Sequence, residues 1–192
     1  GAAPRLDEHA AQVKAECAVA REIRQNTDEG DPLPLAGLRV VDLSAFWAGP
    51  FVTALLADMG ADVIKVEPAA GDPARRFGAM LGLDDDLGIA SNPPFQMDNR
   101  SKRSIVLDLG ASDGRSIALD LLDTADVFLT NIRPAALARL GLDFATVAAR
   151  NPRLVYGLIT GYGTEGPDAD RAAYDVAAFW AREHWTGGVG GW

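Results

Sequence analysis

Several features that would assign the chain to a common class are scarce in it. There is one cysteine, Cys17, in 192 residues, so no disulfide can close within the chain. No apolar run approaches the ~20 residues that a bilayer-crossing helix needs. The N-terminus lacks the basic, then apolar, then small-residue succession of a secretory leader. These absences point to a reducing cytoplasm and to no membrane association. Positive charge is also short: 18 Lys and Arg stand against 27 Asp and Glu, a net charge of −9. That argues against a general nucleic-acid binder, which needs a broad surplus of cations against phosphate. The cations present are clustered, with Arg75 and Arg76 adjacent and Arg100, Lys102 and Arg103 crowded into a predicted loop. Such groups suit either a small polyanionic ligand or a solvated loop.

What is present is ordinary globular composition, 48% hydrophobic and 23% charged. Residues 1–34 read as a helical tail and linker. Leu6, Ala10, Val13, Cys17 and Ala20 step along one helical face, and Asp28, Gly30, Asp31, Pro32 and Pro34 then break the pattern. The organised domain is expected over 35–192. Short apolar strands are predicted at 38–43, 62–67, 104–109, 126–130 and 154–160. Helical patterns are predicted at 51–59, 112–124, 134–140 and 172–184. Apolar strands separated by helices predict a Rossmann-like α/β fold, a mostly parallel sheet with helices on both faces. Ligands of such sheets bind at the carboxyl ends of the strands, so the candidate site elements are 44–50, 67–76, 107–111, 131–134 and 161–174.

The first strand-to-helix turn, Ser44-Ala45-Phe46-Trp47-Ala48-Gly49-Pro50, has a single glycine instead of G-x-G-x-x-G, and Phe46 and Trp47 put bulk where a pyrophosphate would need room. Dinucleotide binding is thereby disfavoured, although Glu67 stands where a ribose acid would.

Several segments in register resemble family III CoA-transferases and the related α-methylacyl-CoA racemases. They are Leu35–Leu43 with Ala48-Gly49-Pro50; Leu55–Pro68; Asn99–Ile105 with Leu107-Asp108-Leu109; Asn131-Ile132-Arg133-Pro134; Arg139-Leu140-Gly141; Asn151–Tyr156; and Gly161-Tyr162-Gly163 with Gly166-Pro167. The resemblance implies part of the large domain of a CoA-transferase of the carnitine and formyl-CoA type. It implies coenzyme A or an acyl-CoA as substrate, a carboxylic acid as partner substrate and no permanently bound cofactor. Carried over by position, it places Trp47 and Ala48 against the ligand through their backbone and Leu107, Asp108, Leu109 and Gly110 beside the adenosine. Asn131, Ile132, Arg133 and Arg139 fall along the diphosphate, and Arg171, Ala172, Ala173 and Tyr174 near the thioester. Guanidinium forks suit phosphate oxygens. Pro68 and Gly110 stand where some members have arginine and lysine, for which Arg75, Arg76 or Lys102 would have to compensate.

Tyr174 stands where the racemases have the histidine that exchanges an α-proton, a task that needs a base titrating near neutrality. Of the two histidines, His9 lies in the tail and His184 on the opposite helix face from Asp175, so both are expected at the surface. Asp175 belongs either to the site or to a helix first turn stabilised by the helix dipole. Phe179 and Trp180 suit core packing or an apolar wall by the acyl group.

In the family's mechanism an aspartate attacks the thioester, without metal, and CoA passes through an aspartyl thioester to the acceptor carboxylate. No catalytic residue is assigned in this chain, because the nucleophile is expected beyond Trp192, and the chain alone is expected to be inactive. Gly1–His9 resembles the family's closing segment, which suggests two fused copies. A racemase-like enzyme and a non-catalytic half of a fused protein stand as alternatives. The family implies an interlocked homodimer or pairing with the other half of a fusion.

Overall fold

The computed structural model describes residues 1–17, 33–77 and 92–174. The predicted last helix beyond Tyr174, with Asp175, Phe179, Trp180 and His184, lies outside the described residues.

Five strands form one parallel sheet in the order β3-β2-β1-β4-β5. They are β1 (Arg39–Leu43), β2 (Asp62–Glu67), β3 (Arg103–Val106), β4 (Val127–Thr130) and β5 (Val155–Leu158). The order is Rossmann-like and reverses between β1 and β4, where Val41 pairs with Ile64 on one side and Phe128 on the other. Helix α1 (Ala10–Cys17) precedes the sheet, and α2 (Ala48–Asp58) joins β1 to β2. A 3-10 turn (Pro73–Arg76) and α3 (Pro93–Asn99) lie between β2 and β3. Helix α4 (Ser112–Asp123) leads to β4, and α5 (Pro134–Leu140) and α6 (Phe144–Arg150) lead to β5.

The period-2 alternation of strand side chains sends consecutive residues to opposite faces. Val41, Leu43, Ile64, Val66, Ile105 and Phe128 face one way and pack with Val13 of α1, Leu121 and Leu122 of α4, Leu137 of α5 and Val147 of α6. Val40 and Val63 face the other way and meet Ala57 at the end of α2 and Ala61 just beyond it. Both faces are thus covered by helices, as the fold class requires.

Two helices were not anticipated. Helix α6 has a local signal: Asp143 accepts a bond from the Thr146 backbone N–H (3.1 Å), a side-chain N-cap. Strand β3 ends earlier than predicted. Leu107 still donates to the Glu67 carbonyl (2.9 Å), but the Asp108 carboxylate then accepts from the Gly110 N–H (2.9 Å) and turns the chain away.

Residues 1–17 lie along β3, an edge strand of this sheet. The His9 N–H donates to the Ser104 carbonyl (2.9 Å), the Ser104 N–H to His9 Nδ1 (3.2 Å) and the Val106 N–H to Asp7 (2.6 Å). His9 is therefore half-buried and bonded rather than a solvated surface residue. Val13 is fully buried, while Leu6 of the predicted stripe falls outside α1 and is exposed. Among the described residues no helix is long and apolar enough to cross a membrane.

Candidate functional site

The face of the sheet under α2 and α3 changes character toward the carboxyl ends of the strands. Beyond Val40 and Val63 come Asp42 and Lys65, both with no exposed surface. Burying charge is costly unless each group is paired and hydrogen-bonded. Lys102 supplies the partner for Asp42 at 2.9 Å, and its ammonium also donates to the Pro50 carbonyl (2.9 Å) and Asn99 Oδ1 (3.0 Å). Thr53 of α2 donates to Asp42 at 2.6 Å, and the Ser44 hydroxyl donates to it as well. Burial by itself would raise the Asp42 carboxyl, but Lys65, Lys102 and these hydroxyls hold it down at about 2. Burial lowers Lys102 to about 8, which Asp42 only partly offsets. Lys65 pairs with Asp72 at 2.9 Å, both side chains being buried.

This cluster grips the turn after β1. The Ser44 N–H donates to Asp42 (3.0 Å), and the Ser44 carbonyl accepts from Lys65 (2.9 Å). The Ala45 N–H donates to Asn131 Oδ1 (3.0 Å), and its carbonyl accepts from Asn131 Nδ2 (2.9 Å). The Phe46 N–H donates to Asp72 (3.1 Å), with Phe46 in the left-handed region at φ 63°. Asn131 follows β4, so its amide bridges the two loops at the point where the strand order reverses. At the start of α2, a Cβ on Gly49 would collide with the Ser44 side chain, so the helix can approach the turn only with glycine there. The N-cap residue of α2, Trp47, makes no side-chain cap bond, and Trp47 and Ala48 are exposed at the helix head.

Ring contacts continue the same surface. Phe46 meets Tyr174 edge-on at 5.5 Å, and Trp47 meets Phe77 at 5.0 Å. A Cβ on Gly161 would overlap Ala173, so the chain after β5 folds back close against residues 171–174. Asp170 caps the first turn of α5, accepting from the Ala135 N–H at 2.8 Å, and the Arg133 guanidinium donates to the Asp170 carbonyl at 3.2 Å. Arg171 pairs with Asp168 at 3.0 Å.

The candidate residues therefore fall into two groups. Trp47, Ala48, Asn131, Ile132, Arg133, Ala172, Ala173 and Tyr174 converge on the carboxyl ends of β1, β4 and β5, with Arg171 beside them. Arg139 lies six residues beyond Arg133 in the last turn of α5, and both arginines are exposed. Among the described residues neither is paired with a carboxylate. Leu107, Asp108, Leu109 and Gly110 follow β3, two strands away from β1, roughly 10 Å across the sheet. Asp108 and Gly110 are exposed, while Leu107 is buried.

Four readings change. Lys102 is not available to a ligand, because it is buried on Asp42. The cluster of Arg100, Lys102 and Arg103 is no polyanion patch and no solvated loop: Arg100 pairs with Asp58, and Arg103 with Asp62 (2.6 Å) and Glu16 (2.9 Å). Arg75 is also consumed, with Nε and Nη2 donating to the two oxygens of Glu67 (2.8 and 2.7 Å) and Nη1 to the Pro4 carbonyl (3.1 Å). Glu67 is thereby excluded as a ribose acid. It is 2% exposed and already accepts from Arg75, the Asp72 N–H and Ser104. Only Arg76 of the compensating cations is exposed. Sequence reasoning missed Asp42, Lys65 and Asp72, although a charged residue inside an apolar strand, as in VVDL and VIKV, is a readable signal.

Residues 35–191 match the profile of CoA-transferase family III. The chain belongs to that family. It is 41% identical over 156 residues to the cinnamoyl-CoA:phenyllactate CoA-transferase of Clostridium sporogenes, covering 81% of this chain and 36% of that protein. It is 45% identical over 143 residues to the succinate–glutarate CoA-transferase of Agrobacterium fabrum, covering 74% and 36%. The crystal structure of a CAIB/BAIF family protein from Brucella suis superposes with a TM-score of 0.72 at 41% identity, covering 80% of this chain and 40% of that one. The chain thus spans about a third of the length of these curated family III relatives.

Proposed function

We propose that the protein containing this chain moves CoA from an acyl-CoA donor to a carboxylic acid, and that the described residues cradle the CoA. The observation that carries this reading is the pinned turn at Ser44–Ala48, whose exposed helix head lies at the carboxyl ends of β1 and β4, the neighbouring strands at which the strand order reverses. Uncapped first-turn N–H groups and the helix dipole favour developing negative charge, as on the oxyanion of a tetrahedral thioester adduct. Arg133 and Arg139, free of carboxylate partners among the described residues, suit the diphosphate. The adenosine lies toward Leu107–Gly110 and the thioester toward Phe46 and Tyr174.

An aspartate beyond this chain serves as nucleophile. Its carboxylate displaces CoA thiolate from the donor to give an acyl-aspartyl anhydride. The thiolate attacks that anhydride at the aspartyl carbonyl, releasing the donor acid and leaving an aspartyl-CoA thioester. The acceptor carboxylate then takes over the acyl position by the reverse sequence. Excluding water is what lets a carboxylate act as a nucleophile. The racemase alternative is disfavoured because Tyr174 stands at the proton-exchange position and His9 is engaged with β3. The protein functions as a homodimer or paired with a fused second half. The segment Gly1–His9, which resembles the family's closing segment and bonds to β3 through Asp7 and His9, supports the fused arrangement. The exposed stripe of Phe51 and Leu55 on α2 and Met59 at its C-cap is apolar surface suited to such pairing.

The test uses the full-length protein with a panel of acyl-CoA donors, acceptor acids and hydroxylamine. Trapping an aspartyl hydroxamate together with exchange of CoA between acids supports the proposal. Racemisation of a 2-methylacyl-CoA without exchange would replace it.

A further inference from the structure

The geometry points to Asp72 and Lys65 as positioning residues for acyl transfer, which hold Ser44–Phe46 in the one conformation that presents the Trp47 and Ala48 N–H groups to a thioester. This rests on the CoA-transferase reading above. The buried pair is connected to the turn at both ends, Lys65 through the Ser44 carbonyl and Asp72 through the Phe46 N–H. Asp72 is itself anchored: its N–H donates to Glu67 at 2.9 Å, and its carboxylate caps the Ala74 N–H at 2.8 Å. The loop after β2 is therefore locked before it grips the loop after β1.

Stability of the fold does not explain this arrangement. A phenylalanine at φ 63° sits in the left-handed region that a side chain with a Cβ disfavours, and glycine or asparagine would relieve it. Burying Lys65 and Asp72 carries a desolvation cost that an apolar pair of similar volume would avoid. Two unfavourable features converge on three residues, and both serve to fix the direction in which the next two N–H groups point. Strain concentrated beside a ligand-binding turn is the pattern of a site built for orientation. Neither residue touches the substrate in this account. They act through the Ser44–Phe46 backbone.

The experiment measures kcat, the KM for acyl-CoA and the calorimetric Kd for free CoA in the full-length protein. Free CoA has no thioester carbonyl, so its affinity reports the nucleotide side of the site separately. Asp72→Asn keeps an acceptor for Phe46 but removes the charge facing Lys65. It is expected to lower kcat at least about 30-fold while the Kd for free CoA changes less than about 3-fold, a split expected of lost transition-state alignment. Phe46→Asn and Phe46→Ala leave the ion pair intact and both remove the ring, so they decide the matter even if Asp72→Asn does not fold. Asparagine tolerates the left-handed region better, and its kcat is expected to exceed that of the alanine variant by about 5-fold, the equivalent of about 1 kcal/mol. Equal kcat in the two Phe46 variants, or wild-type kcat in a folded Asp72→Asn protein, overturns the positioning role. A wild-type protein that neither binds CoA nor transfers it would instead sink the functional reading on which this one rests.

Discussion

The two faces of the sheet are built differently. Under α1, α4, α5 and α6 the face is apolar from Val41 and Ile64 onward to Leu43, Val66 and Leu107, and its charges, Arg39, Asp62 and Arg103 paired with Glu16 of α1, sit at the amino ends of the strands. Under α2 and α3 it is apolar at Val40 and Val63 toward the amino ends of the strands and at Leu129, and it carries the buried charges Asp42, Lys65 and Glu67 toward the carboxyl ends. The first face contributes stability by removing hydrocarbon from water. The second gives up part of that stabilisation and in return fixes the backbone of a turn from several directions at once.

The largest effect expected from disturbing this division comes from Lys102→Met. It leaves Asp42 buried without its ion partner and should destabilise the protein by about 3–5 kcal/mol in urea unfolding. Asp42→Leu combined with Lys102→Met should recover most of that loss while still impairing transfer. Recovery of both stability and transfer would show that the charges are not needed for the turn. On the other face, Leu121→Ala removes a fully buried side chain and should cost about 2–4 kcal/mol of stability. It should leave the affinity for CoA unchanged, which calorimetry checks. A parallel loss of CoA affinity would blur the distinction between the faces.

The pH dependence follows from Asp42. Its folded-state pKa of about 2 lies below the ordinary 3.8, so its contribution is complete above the ordinary value and is lost as pH falls through about 2. The amount is on the order of 2 kcal/mol. Glu67 moves in the same direction because, against burial, Arg75 and the Asp72 N–H stabilise its charged form. Unfolding free energy measured from pH 5 down to pH 2 should therefore fall in the wild type more steeply than in the Asp42→Leu, Lys102→Met double variant. The smallest effects belong to the exposed arginines. Arg133→Ala and Arg139→Ala should each weaken CoA binding by roughly 1–2 kcal/mol without changing stability, because guanidinium contacts to phosphate at an accessible site are partly screened.

Much of the architecture is legible in the sequence because it is locally encoded. Apolar runs mark every strand, and Gly141 ends α5 in a left-handed cap. What escapes local reading is who pairs with whom. Lys102 looks like a surface cation until the fold brings it to Asp42, sixty residues earlier. Arg103 looks the same until Asp62 and Glu16 close on it. Asn131 reads as a ligand contact, yet its amide is taken up by Ala45. The N-terminal segment reads as a tail because its partners, Ser104 and Val106, lie nearly a hundred residues away. In each case the missing information is a long-range contact that no window of sequence contains.

The most direct test of the account is amide hydrogen exchange on the full-length protein with and without CoA. The account predicts protection at Ser44–Ala48, Leu107–Gly110, Asn131–Arg133 and Arg171–Tyr174, with α1, α4 and α6 unchanged. Protection confined to the helices of the apolar face, or none at the turn after β1, would contradict it.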